Sequence, residues 1–276
     1  ISQPAEVKEE LIRQKDLLLA KIRFLPEPTS ISNSSNTGFE IVDQRSRPQG
    51  WSFLEDEDFQ VAAIEVNTPN GSRALELTNT ADEKWGWIRG AQLAIPRTGR
   101  LSLLVSMKLV DGQTCPQVRL SLDGNRGGKE YYRFGSFSAE EDLPLPVRIE
   151  SEWKVFAVHF NDVPTDLSDI RVGVDILGKG AVLVDNFRVF DRWFDASDQQ
   201  ALTKIVTLAA HKISEGELLQ AHQLLNSYWP AFIGAYVPSN SNSAKDAAAV
   251  PVDIARQPQE STTSEKPAAE AQSSRK

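Results

Sequence analysis

The chain has little cysteine, no excess of positive charge and no long apolar run. Its one cysteine, Cys115, excludes an intrachain disulfide and a thiolate metal cluster. Acidic residues (38) outnumber Lys and Arg (30), which gives a net charge of −8. Because nucleic-acid binding needs clustered Lys and Arg to replace counterions, we predict no nucleic-acid partner. No stretch reaches the ~18 apolar residues of a membrane-spanning helix, so we predict no membrane span.

Signatures of common enzymes are also absent. The chain contains no G-x-S-x-G elbow, no complete P-loop and no H-E-x-x-H metal motif. His159, His211 and His222 are scattered without metal-ligand spacing. The acidic run Glu55–Asp58 does not alternate with apolar residues, as two carboxylates directed into one cleft would, and is interpreted as a solvated loop. We therefore predict a protein that is not an enzyme.

The first residue is Ile1 rather than Met, and no signal peptide follows it. We therefore expect a processed chain or a part of a longer protein.

Helical periodicity is present at both ends of the chain. Residues 4–24 place Leu11, Leu18 and Ile22 on one stripe, which predicts a helix that either packs on its own domain or continues a stalk. Towards the other end, Ser197–Gln200 and Ser214–Glu217 resemble capping boxes. They predict a helical hairpin over 197–237. Residues 239–276 are rich in Ser, Ala, Pro and Gln, which predicts a disordered tail.

Between Phe39 and Phe190 the apolar period is two, which is typical of β-strands. Turn signals such as Asn70-Gly71 and Asp123-Gly124 separate the segments. About eight short strands fit this spacing, and no helical pattern lies between them. The pattern predicts a sandwich or barrel.

Two short motifs enclose this region. Thr37-Gly38-Phe39-Glu40 precedes Trp51, and Val184-Asp185-Asn186-Phe187 closes the last strand. The pair resembles the opening and closing motifs of the galactose-binding-like jelly roll found in carbohydrate-binding modules, over residues 33–192. The resemblance implies a jelly roll for this region. With the periodicity and composition of the flanking segments, we predict a mainly β fold, a jelly-roll β-sandwich with an N-terminal helix, a C-terminal helical hairpin and a disordered tail. The expected segments are 1–30, 31–193, 194–238 and 239–276.

The resemblance also implies a structural calcium ion. In the modules that this chain resembles, the Glu of the opening motif and the Asp of the closing strand share a Ca²⁺, which implies Glu40 and Asp185 as ligands here. Carboxylate oxygens suit this hard cation, and two distant strands would be joined by it. The alternative is that both are capped or salt-bridged acids.

The last implied feature is a sugar site on a sheet face. Flat aromatic side chains stack on sugar rings, and a few polar groups bind the hydroxyls. We predict that the site residues are Trp85, Trp87, Arg119, Tyr131, Arg133, Arg171 and Asp175. The alternative is that the tryptophans fill the core and the arginines pair with acids on a solvated face.

These features favour a non-catalytic carbohydrate-binding-like module that binds a polysaccharide. It would belong to a larger extracytoplasmic protein, periplasmic or at the cell surface. The rival hypothesis is a structural or scaffolding protein without a sugar site, whose helices 4–24 and 197–237 contact a protein partner.

Overall fold

The computed structural model describes residues 4–23, 25–31, 36–139, 148–237 and 254–256. They form two compact units, one made of strands and one of helices. Each unit has its own hydrophobic core. Among the described residues, no helix combines the length and the apolar character needed to cross a membrane.

The strand unit is a sandwich of two sheets. The larger sheet has the order β12-β9-β6-β11-β4-β3, with β1 beside β11, and the smaller has the order β2-β5-β10-β7-β8. The strands are β1 (Thr29–Ser30), β2 (Ser52–Phe53), β3 (Phe59–Glu65), β4 (Arg73–Asn79), β5 (Trp85–Arg89), β6 (Leu101–Leu109), β7 (Gln117–Arg126), β8 (Lys129–Phe137), β9 (Lys154–Phe160), β10 (Leu167–Leu177), β11 (Gly180–Arg192) and β12 (Ile254–Arg256).

Alternation along the strands builds the sandwich core. Strand β6 directs Leu101, Leu103 and Val105 into it, and β7 directs Val118 and Leu120 into it. All five are fully buried. All residues from Leu101 to Met107 are buried, but only every second one joins the sandwich core, which is what the period of two predicted. Together with the two layered sheets and the flanking helices, it confirms the predicted jelly-roll β-sandwich. The smaller sheet is antiparallel throughout, and this sheet carries the candidate site.

The helical unit contains α1 (Pro4–Arg23), α2 (Ala196–Glu215), α3 (Leu218–Leu225) and α4 (Tyr228–Tyr236). Leu11 and Leu18 of α1 share a buried cluster with Leu202 of α2 and Phe232 of α4. The helix predicted over 4–24 therefore packs on its own unit. The Lys21 ammonium donates to the carbonyls of Ile233 and Gly234, at 3.2 and 3.0 Å, near the end of α4.

The C-terminal helices differ from the predicted hairpin of two. A break at Asn226–Ser227 divides the second helix into α3 and α4. Pro230 explains it, because proline has no N–H to donate to the carbonyl four residues earlier. The predicted capping boxes were wrong as well. Asp195 caps α2 by accepting from the Asp198 N–H at 2.7 Å, and the N-cap of α3 is Glu217, without a side-chain bond.

Most of the range for which we predicted disorder, 239–276, lies outside the described residues. Its described part, Ile254–Arg256, runs parallel to β9, with Ile254 opposite Val155.

Candidate ligand-binding face

One face of the smaller sheet carries polar and aromatic side chains in register. Asp175 of β10 lies opposite Trp87 of β5 and Arg119 of β7, and Asp123 of β7 lies opposite Tyr132 of β8. Side chains alternate along each strand, so the residues two apart from these share the same face. We call this the polar face. Its members are Trp85, Trp87, Arg89, Arg119, Ser121, Asp123, Tyr132, Phe134, Arg171, Gly173 and Asp175.

A buried ion network forms the centre of the polar face. The Arg89 Nη1 donates to Asp175 Oδ1 at 2.6 Å, and its Nε donates to Asp123 Oδ2 at 2.6 Å. The Tyr132 hydroxyl donates to the other oxygen of Asp175. Asp175 is fully buried and Arg89 is 3% exposed. Burial alone would lower the pKa of Arg89, but the two aspartates outweigh it and raise the pKa. Both oxygens of Asp175 are therefore bonded within the chain.

Gly173 makes room for this network. It lies opposite Arg89, and a Cβ at this position would stand 1.9 Å from the Ile88 carbonyl oxygen and 2.9 Å from Arg89 Cδ and Nη1. Any larger residue would displace the strand backbone or the guanidinium, which lies over the space of the missing side chain. The sequence Arg171-Val172-Gly173 of β10 thus leaves room for the Arg89 side chain of the neighbouring strand β5.

Aromatic rings border the network on both sides. The Arg89 guanidinium carbon lies 5.6 Å from the Trp87 ring centroid, and that of Arg119 lies 4.2 Å from the Phe134 centroid. The rings of Tyr132 and Phe134 are 5.5 Å apart. Cations over ring faces are held by the quadrupole of the ring. These contacts fix the directions of the two guanidinium groups.

Three successive positions of β7 on this face each hold a buried polar atom without a partner among the described residues. They are Arg119 Nε, Ser121 Oγ and Asp123 Oδ1. Ser121 is itself fully buried. Buried polar groups are nearly always hydrogen-bonded, and one without a partner costs free energy. A donor, a hydroxyl and an acceptor therefore follow one another along one strand, beneath the surface of the polar face.

Five of the seven predicted sugar-site residues lie on the polar face, namely Trp85, Trp87, Arg119, Arg171 and Asp175. The predicted placement of Tyr131 and Arg133 was wrong. Tyr131 lies opposite Gly124 and Arg133 opposite Leu122, which puts both on the inner face of β8. Tyr131 packs against the sandwich core, and Arg133 Nη1 donates to the Asn161 carbonyl. The role of the other five in sugar binding stays a prediction.

The sequence analysis missed Asp123, Tyr132 and Phe134 as site residues. In the run Tyr131-Tyr132-Arg133-Phe134, alternation puts Tyr131 and Arg133 on one face and Tyr132 and Phe134 on the other. Each face then carries a tyrosine, so alternation alone does not show which face of β8 points to the core. A usable signal was on β7, where Leu120-Ser121-Leu122-Asp123 alternates strictly. It places Ser121 and Asp123 on the face opposite the leucines.

The opening and closing motifs of the sandwich meet in the structure. Phe39, Trp51 and Phe187 form an aromatic cluster with centroids 4.7–5.9 Å apart. The Phe187 N–H donates to the Thr37 carbonyl at 3.0 Å. These contacts explain why the two motifs occur together in one sequence.

The two acids of these motifs have different surroundings. Glu40 is exposed and accepts from Ser72 N, Ser72 Oγ and Arg73 N at 2.8–2.9 Å. Its partial desolvation raises the pKa of Glu40, but these hydrogen bonds outweigh it and the pKa is lowered. Asp185 is fully buried, and its Oδ2 accepts from Asn70 N at 3.3 Å. Burial, with the charge of Glu40 acting in the same direction, raises the pKa of Asp185 to about 6.

Asp185 has the features of a cation ligand. Its Oδ1 is buried and has no partner with good hydrogen-bond geometry among the described residues, although the Thr68 side chain and the Asn186 N–H lie near enough to lower the pKa of Asp185. A Cβ built on Gly38 would lie 3.7 Å from this Oδ1 and 3.3 Å from the Asn70 carbonyl oxygen, so two oxygens border one small space. Neither acid forms an ion pair within the described part of the chain. Calcium needs six to eight oxygen ligands, so calcium binding by Glu40 and Asp185 stays a prediction.

Comparisons with known proteins find likeness at the level of structure. No family model and no curated protein matches the chain. The CBM22-1 xylan-binding domain of Paenibacillus barcinonensis is 15% identical, covers 56% of this chain and 90% of its own, and has a TM-score of 0.39. A family 22 carbohydrate-binding module of Clostridium thermocellum is 16% identical over 57% of this chain and 96% of its own, with a TM-score of 0.37.

The module TmCBM61, solved with β-1,4-galactotriose, is 16% identical over 58% of this chain and 97% of its own, with a TM-score of 0.37. The similar structures are thus of the kind that the sequence motifs resemble. Identities and TM-scores this low identify no ligand for this chain, so any argument about binding rests on the polar face itself.

Proposed function

We propose that the strand unit is a non-catalytic carbohydrate-binding module of an extracytoplasmic protein, and that the polar face binds the glycan. The observation that carries the proposal is the pair of half-buried rings of Trp85 and Trp87 on the same face as the exposed Arg171. Sugars offer hydroxyl groups that both donate and accept, so the partly exposed Arg119 and Asp123 of this face offer a glycan a donor and an acceptor.

Rigidity of the face supports the same proposal. Arg89 is fixed by two aspartates and Gly173, and it holds Asp123 in place through a 2.6 Å contact. Trp85 and Trp87 remain half-buried on the same face. Flat, partly exposed aromatic rings beside oriented polar groups are what sugar recognition uses. A binding site whose side chains are already fixed in the free protein loses little conformational entropy when the ligand binds.

Affinity electrophoresis against a panel of soluble polysaccharides tests the proposal. We expect retardation by at least one glycan, and a loss of affinity of about tenfold or more in Trp87→Ala, as for a central aromatic contact. Trp153→Ala is the matched control. This tryptophan is half-buried elsewhere in the sandwich, where its Nε1 donates to the Asn67 carbonyl. No retardation by any glycan, or equal losses in both variants, would contradict the proposal. Cell fractionation tests the extracytoplasmic location, which recovery of the protein in the cytoplasmic fraction would contradict.

We also propose that a calcium ion, where bound, is held by Asp185, with Glu40 and the Asn70 carbonyl as the candidate neighbours. The unpartnered buried Asp185 Oδ1 supports it. Such an ion would stabilise the fold by compensating a buried charge. Because it binds the folded state, the melting temperature should rise with added CaCl₂ and fall with EDTA. Equal melting temperatures in both, with MgCl₂ as the ion control, would contradict it.

A second candidate function, protein binding through the helical unit, is favoured by its exposed apolar side chains. Leu219 is 72% exposed, and Leu17 and Tyr228 are 45% and 40% exposed. Concentration-dependent association in analytical ultracentrifugation that Leu219→Lys abolishes would support this function. A monomer at all concentrations, together with glycan binding, would favour glycan binding by the strand unit over protein binding by the helical unit.

A further inference from the structure

The connection between β3 and β4 contains the one Asn-Gly sequence of the chain, Asn70-Gly71. Both residues are exposed to solvent. Asparagine loses its side-chain amide most readily before glycine, because glycine has no side chain to obstruct attack by its own backbone nitrogen on the asparagine Cγ. The same reaction is slower before larger residues. This connection therefore holds both reacting groups of a deamidation.

The fold itself requires the glycine. Gly71 has a φ of 106°, in the region that favours glycine. A Cβ at this position would stand 2.1 Å from Glu40 Oε1. Glu40 lies against the turn because it accepts from Ser72 N at 2.8 Å and from Arg73 N at 2.9 Å. The opening motif of the sandwich thus imposes the reactive sequence.

The reacting groups are not held in hydrogen bonds, although their neighbours are. The Asn70 N–H donates to Asp185 Oδ2 at 3.3 Å, and the Ser72 N–H donates to Glu40. Between them, the Gly71 N–H donates to no acceptor among the described residues. The Asn70 side-chain amide likewise has no hydrogen-bond partner within the described ranges. Attack by the Gly71 nitrogen on this amide therefore breaks no hydrogen bond of the fold.

The amide of Asn70 lies beside the buried acid of the closing motif. A Cβ built on Gly38 would stand 3.3 Å from Asn70 Nδ2 and 3.7 Å from Asp185 Oδ1, so both groups border one space. Asp185 is fully buried and forms no ion pair in the described part of the chain. Like charges this close repel each other, and more strongly where water is excluded. A carboxylate in place of the amide would therefore cost stability until a cation compensates it.

We infer that Asn70 is a site of spontaneous deamidation, and that its product destabilises this end of the sandwich by adding a carboxylate beside Asp185. The Gly71 nitrogen bonds to Asn70 Cγ, and its proton leaves with the side-chain nitrogen as ammonia. Water then opens the resulting ring and leaves aspartate or isoaspartate at residue 70. Water is the only co-reactant. The inference stands on this turn alone, and the proposed calcium ion enters only as a compensating charge.

Storage of the full chain in mildly alkaline buffer, followed by peptide mapping with mass spectrometry, tests the reaction. We expect a progressive loss of the amide at Asn70. Asn67 is the matched control, because it is exposed in the same connection and precedes Thr68, whose branched side chain obstructs the attack. It should keep its amide over the same period. An intact Asn70, or equal losses at both asparagines, would overturn the inference.

Thermal unfolding of Asn70→Asp tests the consequence. In EDTA its melting temperature should lie about 2–4 °C below that of the wild-type protein. Gln113→Glu, which adds the same charge in the exposed turn after β6, should change little. Equal melting temperatures of Asn70→Asp and the wild type in EDTA, or an equal loss in Gln113→Glu, would overturn the predicted destabilisation. CaCl₂ should reduce the loss. A loss that CaCl₂ leaves unchanged would speak against the proposed calcium ion alone and support the inference.

Discussion

Two buried aspartates of the same sandwich, Asp175 and Asp185, have opposite surroundings. Both are fully buried. Asp175 accepts from Arg89 and from Tyr132, so each of its oxygens is bonded. Asp185 accepts from Asn70 N at one oxygen, and the other has no partner with good hydrogen-bond geometry among the described residues. The pKa of Asp185 rises to about 6 through burial, which is the sign of a carboxylate without a counter-charge.

The difference separates residues that organise a site from residues that await a ligand. Removal of one partner from a buried ion pair is expensive, because it leaves the other charge buried without compensation. A buried charge without a partner costs free energy until something outside the chain supplies one. Asp175 therefore belongs to the framework of the polar face, and Asp185 marks the end of the sandwich where a cation is proposed. Three substitutions probe this contrast, in order of decreasing effect.

Arg89→Met should have the largest effect. It leaves Asp175 fully buried without its cation, and Asp123 loses the same partner. Breaking a buried pair by removing one member costs about 3–5 kcal/mol, so the free energy of unfolding in urea should fall by roughly this amount. The matched control is Arg126→Met on β7, whose pair with Asp166 at 3.1 Å is exposed. Exposed pairs contribute about 0–1 kcal/mol, and equal losses in both variants would refute the framework role.

Tyr132→Phe should have an intermediate effect. It removes the hydroxyl that donates to Asp175 and leaves the Arg89 contact in place. A hydrogen bond to a charged group contributes about 1.5–3 kcal/mol. Burial, followed by the charge of Asp175, raises the pKa of Tyr132, so its phenol should also titrate later than that of a free tyrosine. Tyr131→Phe on the inner face is the control and should leave the stability unchanged. A stable Tyr132→Phe would show that Arg89 alone holds Asp175.

The fold could be predicted from the sequence because apolar residues at every second position of a strand indicate the face that packs in the core. Leu101, Leu103 and Val105 point inward at every second position, and the turn signals separate such strands. Part of the polar face could be predicted for the same reason, since Arg119 alternates with Val118 and Leu120. The motifs around Phe39 and Phe187 predicted that the opening motif meets the last strand of the sandwich, as the contact between these two rings shows.

The rest of the site depends on partners far apart in the chain. Arg89 and Asp175 are 86 residues apart, and nothing local to either predicts their contact. Strand β8 was oriented wrongly because Tyr131 and Tyr132 are chemically alike, and only pairing with β7 assigns their faces. The break before α4 was missed because Pro230 was interpreted as a residue inside a continuous helix, although its missing N–H acts one turn earlier.

Asp185→Asn should have the smallest effect when calcium is chelated. The amide keeps an oxygen near Asn70 N and removes a buried charge that has no partner at Oδ1 within the described residues. We expect the free energy of unfolding in EDTA to change by less than about 1 kcal/mol or to rise, because no compensated pair is broken. Asp175→Asn is the same change at the paired acid and should cost clearly more. In CaCl₂ the wild-type protein should gain stability and Asp185→Asn should not. A large loss for Asp185→Asn in EDTA would mean that the chain itself compensates this acid, and the contrast between the two aspartates would then fail.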